Sequence, residues 1–176
     1  FLADVTLSNG ETVTAHCANP GSMFGVAEPG SEVWLSIATN PARKLKYTWE
    51  LIRVGRHLVG IHSSVPNALA AEAIENGWIA ELRGYESQRR EVKYGENSRV
   101  DLLLEDPAKP RCYVEVKNVH LSRERGVAEF PDAVTARGAK HLVELGKVVD
   151  GGERAVMLYM VQRGDCDRFR LAADID

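Results

Sequence analysis

A chain of 176 residues is long enough for one ordinary domain or two small ones, and 44% hydrophobic with 27% charged residues is the composition of a soluble globular protein rather than a disordered one. Its longest apolar run, Ala155 to Val161, is far too short to span a bilayer, so no membrane partner is expected. A formal net charge of −3 argues against a protein that merely coats nucleic acid, which would be basic, but leaves room for a local basic patch.

The chain opens at Phe1-Leu2-Ala3-Asp4, without Met and inside an expected strand, so further residues are expected before it. Phe1 to Leu7 and Glu11 to His16 flank Ser8-Asn9-Gly10, a hairpin signal. After the loop Ala18 to Ser22, strands are expected over Glu32 to Ile37, Tyr47 to Val54 and Leu58 to His62. Five short strands with tight connections suggest a small OB-type β-barrel over residues 1–63. Arg43, Lys44 and Lys46 beside Tyr47 and Trp49 mix charge with aromatics as single-strand binders do. Alternation alone explains Trp49 as core, and that explanation takes precedence.

The pattern changes at His62 to Pro66. Ser64 is placed to cap a helix with Pro66 in its first turn, ending at Asn76-Gly77. Its apolar stripe is Val65, Leu69 and Ala73, with Ala70 and Ile74 beside it, and Glu72 lies at the edge, either a surface glutamate or an acid aimed at a site. A short turn at Trp78 to Leu82 precedes a strand from Tyr85 to Tyr94 that carries Arg89, Arg90 and Lys93.

Asn97 to Asn118 then reads as two strands around a Pro-bounded turn. Arg99, Asp101 and Leu103 alternate with Val100, Leu102 and Leu104; Tyr113, Glu115 and Lys117 alternate with Cys112, Val114 and Val116. Symmetry about Ala108 sets Asp101 opposite Glu115 and Arg99 opposite Lys117, with Val100, Leu102, Val114 and Val116 on one apolar face. Two carboxylates so placed lie roughly 5 Å apart at Cβ and repel unless they share a proton or a cation. Two acids and a lysine on one polar face suit metal-assisted attack on a phosphodiester, and also an exposed salt-bridge ladder.

Leu121 to Glu129 reads as a charged loop with Arg123 and Arg125. Asp132 is expected to cap a helix over Ala133 to Val149 that buries Val134, Gly138, Leu142, Leu145 and Val149, leaving Arg137, Lys140, His141 and Glu144 on a polar stripe. A last central strand is expected over Arg154 to Gln162, then a short strand or turn in Asp165 to Asp176. Residues 64–176 thus predict an α/β sandwich in the order α-β-β-β-α-β with a mixed sheet. Cys17, Cys112 and Cys166 form no C-x-x-C pair, which disfavours zinc and a disulfide framework and fits a reducing, cytoplasmic setting.

That element order, with Asp101 and Glu115-Val116-Lys117, resembles the PD-(D/E)XK nuclease superfamily. The phrases A-N-P-G-S-M, N-S-R-V-D-L-L, Y-V-E-V-K-N-V and F-P-D-A-V-T-A-R-G-A-K-H-L, spread over essentially the whole chain, resemble the sugar fermentation stimulation protein A (SfsA) family. The resemblance implies an OB-like domain before a nuclease-like α/β (α+β) domain. It also implies DNA binding without strong sequence preference and a regulatory role in sugar (maltose) metabolism. Under it Asp101, Glu115 and Lys117 match the acid, acid and lysine of the superfamily. Glu72 matches the acid of the first helix, and the Val116 carbonyl is a further ligand of Mg²⁺ or Mn²⁺. Arg89, Arg90, Lys93, Arg99, Arg137, Lys140 and His141 are expected to grip phosphates, with Arg43 and Lys44 on the OB-like part. Two functions remain open, a metal-dependent nuclease and a non-catalytic DNA-binding regulator. RNA in place of DNA and a homodimer are left open too.

Overall fold

The computed structural model describes residues 2–176; Phe1, expected to open the first strand, lies outside the described residues. In chain order the elements are β1 (Leu2–Thr6), β2 (Thr12–Cys17), β3 (Val33–Ile37), β4 (Tyr47–Val54), β5 (His57–Gly60), α1 (Val65–Glu75), a 3-10 turn (Ala80–Leu82), β6 (Ser87–Tyr94), β7 (Ser98–Glu105), β8 (Cys112–Val119), β9 (Leu121–Glu124), β10 (Val127–Phe130), α2 (Ala136–Asp150), β11 (Arg154–Val161) and β12 (Arg168–Leu171). They form two compact units. The first takes the chain through Ser64 together with Val119–Val134 and Val161–Asp176; the second takes Val65–Asn118 and Thr135–Met160. The change of unit after Ser64 falls where the composition shifts, and two later segments, Val119–Val134 and Val161–Asp176, group with the first unit.

In the first unit, β1-β2-β4-β3 form a sheet with β5 also paired to β4. It is an open sheet with β1 and β3 at its edges, not a closed barrel. Cys17, Val26, Trp49, Ile52, Val59 and Ile61 make its core. Trp49 is therefore a core residue, and its indole N–H donates to the Leu51 carbonyl. The segment expected to be a charged loop is instead the hairpin β9–β10, extended by β12 parallel to β10. Leu121, Val127 and Ala128 are buried there. Glu129 is buried too, because Arg123 and Arg170 both donate to its carboxylate. Charge that satisfies itself internally looks like a loop in one dimension.

The second unit is a four-stranded sheet, β11-β8-β7-β6. β6, β7 and β8 pair antiparallel. β11 runs in the direction of β8, as the bonds Arg154 N–H to Arg111 O and Gln162 N–H to Val119 O show. The hairpin register is the expected one where it pairs: Leu102↔Val114, Leu103↔Tyr113 and Leu104↔Cys112. Ala70 and Ala71 of α1 pack on Leu102, Leu104, Cys112, Val114 and Val116. Leu145 of α2 packs against the opposite group, Tyr94, Val100, Leu103 and Tyr113.

Both helices are rotated from expectation. Leu69 of α1 is more than one-third exposed, and the inward face is centred on Ala71 with Ala70 and Ile74, the two residues expected beside the stripe. α2 starts later than expected, capped by Thr135, whose Oγ1 accepts from Gly138 N–H. Asp132 accepts the Ser22 N–H instead. On α2, Leu142 and Val149 are about half exposed, while His141, Glu144 and Leu145 are buried. Of the polar stripe, His141 and Glu144 face inward because they find partners there, described next, while Arg137 and Lys140 stay exposed.

Candidate metal centre

Alternation breaks in the middle of the sheet, and the site lies at the break. Leu102 and Leu104 face α1, whereas Val100 joins Leu103 and Tyr113 on the α2 side. A period-2 strand cannot do this without slipping by one residue, and the slip falls at Asp101. On β6, Gln88 reaches α1 by donating to the Ala71 carbonyl, while Val92 and Tyr94 belong to the α2 side. The pairs Arg90↔Leu102 and Val92↔Val100 bracket Glu91 against Asp101, and Glu91 has φ +53°. The expected apolar face shared by Val100, Leu102, Val114 and Val116 is therefore corrected: Val100 leaves it.

Asp101 thereby reaches the start of α1. Asn67 Nδ2 donates to Asp101 Oδ1 at 2.7 Å, and Val116 N–H donates to Oδ2 at 2.7 Å. In an extended strand the N–H and C=O of one residue leave on the same side, so the Val116 carbonyl is directed toward the same strand. Glu115 is 3% exposed. Its Oε1 accepts from Lys117 Nζ at 2.8 Å and from His141 Nδ1 at 2.5 Å. A carboxylate only accepts, which places the imidazole proton on Nδ1. Glu115 Oε2 is buried with no partner. Burial pushes the Asp101 carboxyl above its ordinary value; the charges of Glu115 and Glu91 add to this, against the opposing bonds from Val116 and Asn67. Burial, with the charges of Glu115, Glu144 and Asp101, lifts the Tyr94 hydroxyl to about 12. That hydroxyl also lacks a partner, as does Glu144 Oε2.

An orphaned, buried carboxylate oxygen beside a second carboxylate that burial and repulsion disfavour calls for a shared proton or a cation. Among the described residues no three His, Cys, Asp or Glu side chains are gathered as a cage. Mg²⁺ does not need one: it takes one or two carboxylates and completes its shell with waters and phosphate oxygens. Asp101, Glu115 and the Val116 carbonyl fit that pattern.

The other expected residues divide. Glu72 is exposed on α1, about 140° around the helix from Asn67, and makes no hydrogen bond or ion pair with either acid; Asn67 is the α1 residue that meets Asp101. His141, expected on the surface as a phosphate grip, is buried under Glu115. Arg89 is held by both oxygens of Glu105, and Lys140 donates to the Glu96 carbonyl. Arg90, Lys93, Arg99 and Arg137 are exposed with no hydrogen bond or ion pair among the described residues. Lys93 and Arg99 are direct cross-strand neighbours, a like-charged pair. On the first unit Arg43 and Lys44 are exposed, with Arg43 Nη2 3.4 Å from His16 Nδ1. Asn67, Glu91 and Tyr94 were not singled out as site residues from the sequence. Asn67 carries the weak signal of a polar residue in a helix's first turn; a left-handed backbone at Glu91 carries none.

The fold and site define an α/β unit with a carboxylate–lysine centre at the kink of its central strands, joined to an open-sheet unit of OB type. Residues 1–61 match the family model of the SfsA N-terminal OB domain, and residues 64–176 match that of the sugar fermentation stimulation protein RE domain; the chain belongs to the SfsA family. The sugar fermentation stimulation protein homolog of Maricaulis maris is 62% identical over 176 residues, covering all of this chain and 75% of that protein. The homolog of Paramagnetospirillum magneticum is 63% identical and covered to 74%. The solved structure of Pyrococcus furiosus SfsA in complex with Ca²⁺ is similar in fold, with TM-score 0.89 and 24% identity over the whole of this chain and 74% of that one.

Proposed function

We propose that the protein is a DNA-binding phosphodiesterase dependent on Mg²⁺ or Mn²⁺, acting without sequence preference in the cytoplasm. The observation that carries this is Glu115, buried, with one oxygen held by Lys117 and His141 and the other without a donor, beside a disfavoured Asp101. A divalent ion would act as Lewis acid toward a phosphate oxygen and make water a nucleophile near neutral pH. Asp101, Glu115 and the Val116 carbonyl would hold it. Asn67 and the Val116 N–H orient Asp101, and His141 orients Glu115. Lys117, placed two residues beyond Glu115, positions the attacking water and offsets charge that builds on the phosphate. Arg90, Lys93, Arg99 and Arg137 contact backbone phosphates, which carry no sequence information. The Ca²⁺ in the name of the Pyrococcus structure supports a divalent ion in this fold.

The bond from Lys117 to Glu115 favours a second reading, a DNA-binding regulator of sugar metabolism without cleavage, because it engages the lysine in a structural contact. Plasmid nicking with and without Mg²⁺ separates the two. Nicking that needs Mg²⁺ and is lost in Glu115→Gln and Lys117→Ala supports the nuclease. Background nicking unchanged by either variant, with DNA still retarded in gels, supports the regulator.

A further inference from the structure

Among the described residues, Glu91 is the one positive-φ residue inside a strand, at φ +53°. The left-handed region costs a residue with a Cβ roughly 1–2 kcal/mol, and glycine avoids most of that cost. Among the described residues nine glycines take this conformation, such as Gly95 just after β6, and the other residues that share it, Met23 and Asn97, lie outside the strands. A kink within a strand would ordinarily call for glycine at 91. Glu91 is also electrostatically misplaced. Its row, between Arg90↔Leu102 and Val92↔Val100, sets it against Asp101, like charge against like charge, and it is exposed with no hydrogen bond or ion pair among the described residues. Both features are unfavourable for the protein alone. A separate observation points to what offsets them: Glu115, 97% buried by its 3% exposure, keeps one carboxylate oxygen without a donor.

We propose that Glu91 is a third carboxylate of the metal centre, turning onto the divalent ion held by Asp101 and Glu115 in the place the family resemblance gives to Glu72. This assignment rests on the metal-centre reading above. The left-handed backbone rotates the strand so that both faces exchange at this row, and the glutamate there carries its charge to the ion. A long, unpartnered side chain on the outer of the three strands closes the shell after the ion has entered, while Asp101 and Glu115 stay fixed by their bonds to Asn67, Val116, Lys117 and His141.

The test measures Mn²⁺ binding by calorimetry and by the paramagnetic resonance of free Mn²⁺, with thermal melts of the metal-free chain. The variants are Glu91→Gln, Glu91→Gly, Glu72→Gln and Asp101→Asn. Glu91→Gln and Glu91→Gly are expected to weaken Mn²⁺ binding about tenfold or more, and Glu72→Gln to leave it nearly unchanged. Both Glu91 variants are expected to melt higher than the parent without metal, since repulsion is removed in each and strain in the glycine form. A glutamate kept for structure would lower the metal-free melting temperature in both, and that result overturns the proposal. Unchanged Mn²⁺ binding in Glu91→Gln, with binding lost in Asp101→Asn, overturns the proposal and leaves the metal centre standing. No Mn²⁺ binding by the parent chain overturns both.

Discussion

Glu115 shows how far single residues could be read in advance. Its place two residues before Lys117, on the face of β8 away from Val114 and Val116, follows from strand alternation, and the symmetric register is kept from Leu104↔Cys112 as far as Leu102↔Val114, the row beside it. Its burial does not follow, since an exposed face of charged residues has the same alternation. Burial is produced by His141, whose imidazole comes from an element 26 residues away and whose sequence context read as surface. A metal-ligating carboxylate is usually oriented by such a partner. His141→Ala leaves Glu115 with Lys117 alone and opens a space beneath it. It is expected to weaken Mn²⁺ binding by about 10–100-fold. His141→Asn, whose amide nitrogen can stand near the Nδ1 position, is expected to recover most of that affinity. Calorimetry on the two variants checks it: equal losses would mean that His141 fills space and does not orient Glu115.

At the level of elements, helices and strands were legible and their faces were not always. Apolar spacing predicts α2 with Leu142 and Val149 inward; His141 and Glu144 turn inward instead, bonding Glu115 and the Glu96 N–H. Polar residues that find buried partners override the hydrophobic stripe. The β9–β10 hairpin was missed for the same reason, and it carries a pH signature. Arg123, and then Arg170, hold the Glu129 carboxyl down to about 2 from its ordinary 4.5. A depressed carboxyl stabilises the folded state above its unfolded value. That contribution is complete above pH 4.5 and is lost as pH falls toward 2. Glu129→Gln is expected to cost about 2–3 kcal/mol at neutral pH. The arginines left behind are partly exposed, with side chains 32% and 50% accessible, and so remain solvated. The variant's stability should also flatten across the acid range. Urea unfolding from pH 7 to pH 3 measures both, and an unchanged acid slope in Glu129→Gln would assign the acid sensitivity to other carboxylates.

For the whole molecule, a net charge of −3 means that the proposed attraction to DNA must be local and must compete with acids at the same site. Lys93 and Arg99 face each other across β6 and β7 without anionic partners, while Glu91 and Asp101 stand two residues further along those strands. Without a divalent ion the acids repel the phosphate that the cations attract; with one, the local charge turns positive and the two rows cooperate. DNA affinity is therefore expected to rise on adding Ca²⁺ or Mg²⁺ at constant ionic strength. The gain should vanish in Asp101→Asn, whose metal-free affinity should exceed the parent's. Each phosphate contact contributes about 0.9 to the slope of log affinity against log salt. Arg99→Ala and Arg137→Ala should each lower that slope by about one, equally for unrelated DNA sequences, because phosphate contacts are blind to base identity. Fluorescence anisotropy of labelled duplexes over a salt series, with and without Ca²⁺, provides the measurement. An affinity indifferent to both ion and salt would place DNA binding away from the sheet face that carries these rows.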